Sequence, residues 1–153
     1  MESISPLLVS NDHREIVGEY LALETAQDKL SWLMEREPLH APVEPHLITE
    51  ERKVPGCLSG LWLSGDYRSG EWFFSAQSES DMVQGLVSFV CDLYSGRSGE
   101  DILNTGEQLA KALSLDRLVT VTRKRAISST LSYILMAASG NEALINAPAD
   151  VVR

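Results

Sequence analysis

Apolar residues recur at helical spacing early in the chain, first as Ile16, Val17, Tyr20 and Leu21, then as Ala26, Leu30, Leu33 and Met34. Thr25 with Asp28 three places on has the form of a capping box, so two amino-terminal helices are expected, the second stopping before Pro38. From Glu37 to Pro55 the prolines at 38, 42, 45 and 55 interrupt any period. An extended, irregular connection follows from that, with one possible turn near Leu47 to Glu51. Leu61-Trp62-Leu63 and Glu71-Trp72-Phe73-Phe74 have the make-up of strands, and the turn formers from Gly65 to Gly70 between them predict a hairpin.

Beyond the hairpin the pattern turns helical again. Ser78 with Asp81 has the spacing of a capping box, and Met82, Val83, Leu86, Val87, Phe89, Val90 and Leu93 are apolar around most of the circumference, as in a central buried helix. Ser98 with Asp101 and Thr105 with Gln108 repeat the cap spacing and predict short helices over 99–104 and 106–114. A last helix is expected from about Thr122, with Ile127, Leu131, Ile134, Leu135 and Ala138 on one face and Gly140 at its end. The order helix, helix, hairpin, helices is that of an α+β fold, a small antiparallel sheet packed against several helices. A chain of 153 residues suits one domain, here expected over 1–139 with 140–153 as a flexible tail.

Charge narrows the function. A net charge of -9 repels phosphate backbones, and no basic stripe with interleaved aromatics offsets it, so nucleic acid is a poor partner. No apolar run approaches the roughly 20 residues that cross a bilayer, and the first residues lack the pattern of a signal peptide. A soluble cytoplasmic protein is expected, without a membrane partner.

In a reducing compartment the two cysteines, Cys57 and Cys91, are free thiols rather than a structural disulfide. Cys91 lies in an apolar helical run and reads as core, whereas Cys57 follows Pro55-Gly56 in a turn-like stretch and is the thiol that could react. Gly56 and Gly60 should give its loop torsional freedom. The three histidines, His13, His40 and His46, read as solvated loop residues, since no Cys-His hydrolase signature surrounds them. Too few ligands cluster for a zinc or iron–sulfur site, so no metal and no cofactor is expected. Gly85 reads as a close helix contact, and Trp62, Trp72 and Phe74 as core aromatics. Residue types alone leave open whether Cys57 is a working thiol or a loop cysteine without a role.

Longer motifs decide between these. Val54-Pro55-Gly56-Cys57-Leu58-Ser59-Gly60-Leu61-Trp62-Leu63 resembles the Gly-Cys-x-Ser-x-x-Trp segment of the SufE family, sulfur acceptors for cysteine desulfurases. Trp72 to Leu86 is similar to that family's second strand and the helix start after it, with its Ser-Asp/Glu and Val-x-Gly-Leu pattern. Tyr94-Ser95-Gly96-Arg97-Ser98 falls at the family's helix end, Leu113-Ser114-Leu115 at its Leu-Gly-Leu turn, and Thr120-Val121-Thr122-Arg123 on its Ser-Pro-Ser-Arg motif. The similarity spans roughly residues 12 to 138, with Arg125-Ala126 standing where the family has Asn/Gln-Gly.

The resemblance implies a SufE/IscU-like fold and a non-enzymatic carrier. Cys57 would accept persulfide sulfur from a SufS-like cysteine desulfurase, stimulate its turnover and deliver the sulfur to an iron–sulfur assembly scaffold. Pyridoxal phosphate would belong to the desulfurase. Gly56, Ser59 and Arg123 would support the loop or touch the partner, and the loop would rest against an apolar cavity until docking. The three cations Arg123-Lys124-Arg125 at a helix start oppose the macrodipole, which suggests local pairing with acids, orientation of the cysteine loop or contact with the desulfurase. The alternative is a regulatory or structural desulfurase partner that transfers no sulfur.

Overall fold

The computed structural model describes residues 4–57 and 59–140. Two helices, α1 (Asn11–Ala22) and α2 (Ala26–Glu35), open the architecture, and the side chains of Ser10 and Thr25 cap them by accepting from His13 N and Asp28 N. A proline-rich connection follows, with single 3-10 turns at Pro45–Leu47 and Glu50–Arg52 where one near Leu47 to Glu51 was expected. It is folded onto the body, since Val43, Leu47 and Val54 are buried and Trp62 Nε1 donates to the Thr49 carbonyl at 2.7 Å.

The hairpin consists of β1 (Leu61–Arg68) and β2 (Glu71–Ser78), antiparallel from Leu61 opposite Ser78 to Arg68 opposite Glu71. Its strands run longer than the apolar runs suggest. Gly65 and Asp66, expected in the turn, pair with Phe74 and Phe73, and the turn itself is Ser69-Gly70, both at positive φ. Two left-handed residues in succession match the twist of a tight hairpin, so the ladder can continue to the turn.

β2 alternates buried and partly exposed positions, and its buried side (Trp72, Phe74, Ala76, Ser78) faces α3 (Asp81–Tyr94). α3 is capped by Ser80, whose side chain accepts from Val83 N, while Ser78 Oγ instead accepts from Ser80 N. The expected cap was therefore two residues early, because β2 extends through Ser78. From Val83 to Tyr94 α3 is buried almost throughout, packed on β2, α2 and the last helix, α6 (Val121–Ala138). A Cβ on Gly85 would stand 2.6 Å from the Leu33 carbonyl oxygen, so only glycine lets α2 approach this closely.

Between α3 and α6 lie α4 (Gly99–Thr105), capped by Ser98, and α5 (Gln108–Ala112). Thr105 closes α4 and does not cap α5, and the chain then makes a 3-10 turn over Leu115–Leu118. Trp62, Trp72 and Phe74 are core aromatics, as expected. The tail expected over 140–153 lies, from residue 141 on, outside the described residues.

His13 is not a solvated loop residue. It lies in the first turn of α1, only 2 % exposed, with Nε2 2.9 Å from the Ser95 carbonyl. Its helical address brings it under the Tyr94–Ser98 corner, a proximity that local sequence cannot announce. At that corner Ser95 Oγ donates to the Cys91 carbonyl and accepts from Phe74 N, and the buried Arg97 donates to Leu93, Asp101 and Leu7. His40 is half-buried against Asp92, which also takes Arg36 Nη2 at 2.7 Å and the Leu39 amide at 3.0 Å. His46 is exposed beside Glu44.

Candidate functional site

The loop that carries Cys57 is the last segment before β1, and both of its ends are tied down. At its start the Val54 amide donates to the Leu61 carbonyl at 2.8 Å. At its end the Gly60 amide donates to Glu79 Oε1 at 2.8 Å, and the Glu79 amide donates back to the Gly60 carbonyl at 3.0 Å. Between these ties Gly56 and Cys57 lie beside Arg125 of the last helix.

The two glycines of this loop serve different needs. Gly56 has φ +83, the left-handed conformation that glycine adopts without a steric penalty. Gly60 is required by space instead, for a Cβ there would meet Glu79 Oε1 at 2.6 Å and the Trp62 ring at 2.7 Å. The expected torsional freedom therefore applies to Gly56, and Gly60 is a point of close packing.

Cys57 is half-buried and packs on the edge of the hydrophobic core. Burial pushes its thiol pKa up, while the Arg125 charge and a hydrogen bond from Ser129 pull it part of the way back. The net shift is upward, so at neutral pH the resting group is chiefly the thiol, a weak nucleophile. Cys91 is 2 % exposed, and burial followed by the Asp92 charge raises its pKa much further. Only Cys57 combines partial access with a neighbouring cation.

Arg125 and Ser129 are one helical turn apart and share a face of α6. The Arg125 guanidinium lies directly over Gly56, since a Cβ on that glycine would be 3.3 Å from both Cδ and Cζ and nearer still to Nη1. Arg123, singled out from the sequence, is exposed and points elsewhere, donating from Nη1 to Met82 Sδ of α3 at 3.0 Å. Ser59 is half-buried in the loop. The structure thus brings Gly56 and Cys57 together with Arg125 and Ser129, and sets Arg123 against α3. Ser129 was absent from the sequence reading, and Arg125 entered it only in a basic run and, with Ala126, as a departure from the family's Asn/Gln-Gly. Their spacing of four was the available signal, but nothing local pointed that face at Cys57.

Among the described residues no three His, Cys, Asp or Glu side chains are grouped so as to hold a metal ion, and no helix is long and apolar enough to cross a membrane.

Helices packed on a two-stranded hairpin, with a half-buried thiol on the loop before its first strand, define an α+β protein. The chain belongs to the SufE family, whose model, described as an Fe-S metabolism associated domain, matches residues 14–138. An uncharacterised SufE-like protein of Rhizobium etli is 29% identical over 92 residues, which cover 58% of this chain and 62% of that protein. The SufE-like protein 1 of Arabidopsis thaliana, chloroplastic/mitochondrial, is 25% identical over 122 residues, 79% of this chain and 33% of its own length. The chloroplastic quinolinate synthase of Nicotiana tabacum is 24% identical over 102 residues, 65% of this chain and 14% of that protein. Each of these relatives thus extends well beyond the matched region. The solution structure of a hypothetical protein from Thermus thermophilus superposes with a TM-score of 0.68 at 15% identity, covering 89% of this chain and 99% of that one, which shows the shared fold.

Proposed function

We propose that this protein is a sulfur carrier of iron–sulfur metabolism, accepting persulfide sulfur on Cys57 from a cysteine desulfurase and passing it to an assembly scaffold. The observation that carries the reading is the state of Cys57, half-buried at the core edge yet beside Arg125 and Ser129 on a loop tied at both ends. A thiol held this way is a poor catalyst alone, because burial keeps it protonated. It suits a carrier, in which the donor supplies an already electrophilic sulfur.

In the transfer, the Cys57 thiolate attacks the terminal sulfur of the donor's persulfide. A sulfur–sulfur bond forms to Cys57, the one in the donor breaks, and the donor cysteine leaves as thiolate, so that no external oxidant or reductant is consumed. Delivery repeats the exchange with the acceptor as nucleophile. The chain's role is then accessory: the desulfurase, with its own pyridoxal phosphate, performs the carbon–sulfur chemistry, and removal of sulfur by Cys57 stimulates its turnover. Such an exchange requires a reducing compartment, the cytoplasm or an organelle; the Arabidopsis relative's name places that protein in chloroplasts and mitochondria.

Intact mass after incubation with a cysteine desulfurase and cysteine tests this directly. Gain of sulfur that a reductant removes is expected, with faster desulfurase turnover. An unchanged mass alongside an active desulfurase rejects the carrier role and favours a regulatory partner that transfers nothing.

A further inference from the structure

The cation beside Cys57 is unusual for this chain in two ways. The protein carries a net charge of -9, yet Arg123, Lys124 and Arg125 stand exposed in the opening turns of α6, where positive charge opposes the helix dipole. Of these, Arg125 is the one laid over Gly56, the residue before the thiol. The left-handed Gly56 has no Cβ, and the Arg125 side chain occupies the space that one would fill.

We propose that Arg125 is the positioning residue of the Cys57 loop, its guanidinium both covering Gly56 to hold the loop against α6 and presenting a cation to the anionic sulfur that Cys57 carries. The persulfide half rests on the carrier role proposed above; the thiolate half does not. A persulfide is a stronger acid than its parent thiol, so a loaded Cys57 is an anion at a half-buried site and gains more from the neighbouring charge than the resting thiol does. Among the described residues near the loop, Ser129 gives Cys57 a neutral hydrogen bond, while the Glu79 carboxylate takes the Gly60 amide and Arg123 reaches Met82. Because Arg125 is exposed, its effect on Cys57 depends on salt.

The two roles move different observables. The rate of Cys57 alkylation by iodoacetamide against pH, followed by peptide mass, has a midpoint set by thiolate stability and a plateau set by access. Arg125→Gln removes the charge and the cover, so the midpoint should move to higher pH and the plateau should rise, with the midpoint difference from wild type shrinking in ~1 M salt, where the screening length is about 3 Å. Arg125→Lys keeps a cation without the planar group, so its midpoint should stay nearer wild type while its plateau rises. After loading with a desulfurase and cysteine, cyanide should strip sulfur from Arg125→Gln several-fold faster than from wild type, releasing thiocyanate and the Cys57 thiolate. A midpoint unmoved in Arg125→Gln overturns the proposal whatever the plateau does. Failure of wild type to load sulfur rejects the carrier role alone, because the alkylation profile needs no sulfur donor.

Discussion

Gly60 and Glu79 exchange two hydrogen bonds, the Gly60 amide to Glu79 Oε1 at 2.8 Å and the Glu79 amide to the Gly60 carbonyl at 3.0 Å. This reciprocal pair fixes the end of the cysteine loop to the start of the segment that leads into α3. Glu79→Ala removes the side-chain half, which at a part-buried site should cost about 1–2 kcal/mol of stability. The loop should also open more often, so Cys57 alkylation at a fixed pH should accelerate. Gly60→Ala should be worse, about 1–3 kcal/mol, since its Cβ meets both the carboxylate and the Trp62 ring. Chemical denaturation of the two variants decides the order.

Sulfur acceptance should depend on Cys57 and not on Cys91. Cys57→Ser should fold as wild type does and take no sulfur, whereas Cys91→Ser should still load. The latter should lose about 1–3 kcal/mol, because it places a hydroxyl in a fully buried apolar site. Sulfur found on Cys57→Ser by peptide mass would falsify the assignment.

Docking should release the thiol. Cys57 is half-buried at rest, and a carrier that protects its persulfide needs the sheltered state to dominate until partner contacts favour the open one. Alkylation should therefore speed up on adding a desulfurase that lacks its own active-site cysteine. Equal rates with and without it would argue for a permanently accessible thiol.

His13 should make stability pH-dependent. Burial, then the Arg97 charge, lower its pKa below the ordinary 6.5. The unfolded chain therefore binds a proton that the folded chain resists, so this stabilisation is complete above about pH 6.5 and is lost as pH falls toward the lower folded value. Urea midpoints between pH 7 and 5 should fall for wild type and fall less for His13→Gln; parallel curves would exclude His13 as the source.

Ser114 occupies the left-handed region at φ +53, after α5 and before the Leu115–Leu118 turn. A residue with a Cβ is strained there, so Ser114→Gly should stabilise by roughly 0.5–1 kcal/mol, less whatever the unfolded chain gains in freedom. Thermal melting should register this as a rise of about 2–4 °C at most. A lower melting temperature would show that the Ser114 side chain contributes more than its backbone strain costs.

Much of the fold was legible locally. The buried faces of α1 (Ile16, Val17, Tyr20) and α6, the existence of α2, the caps at Thr25 and Ser98, the hairpin and the burial of α3 all follow from periodicity and short-range hydrogen bonding, which act within a few residues. Leu21, Ala26 and Met34, expected on the inner faces of α1 and α2, are instead exposed. Cys57 stood out for the same reason, as a thiol in a turn rather than on an apolar face, and the motifs around it carried the family.

Tertiary structure decided the rest. Gly65 and Asp66 look like turn residues, yet they lie in β1 because Phe74 and Phe73 pair with them across the ladder. His13 looks exposed beside its acidic neighbours and is buried because Ser95, 82 positions away, accepts its hydrogen bond. Arg125 belongs to the cysteine site because α6 packs beside β1 and directs that side chain over Gly56, while Arg123, two residues earlier on another face, meets Met82. Helical periodicity sorts side chains among faces, but which face meets which loop is set by packing between segments far apart in the chain, and on that packing rest the charge and the shelter of Cys57.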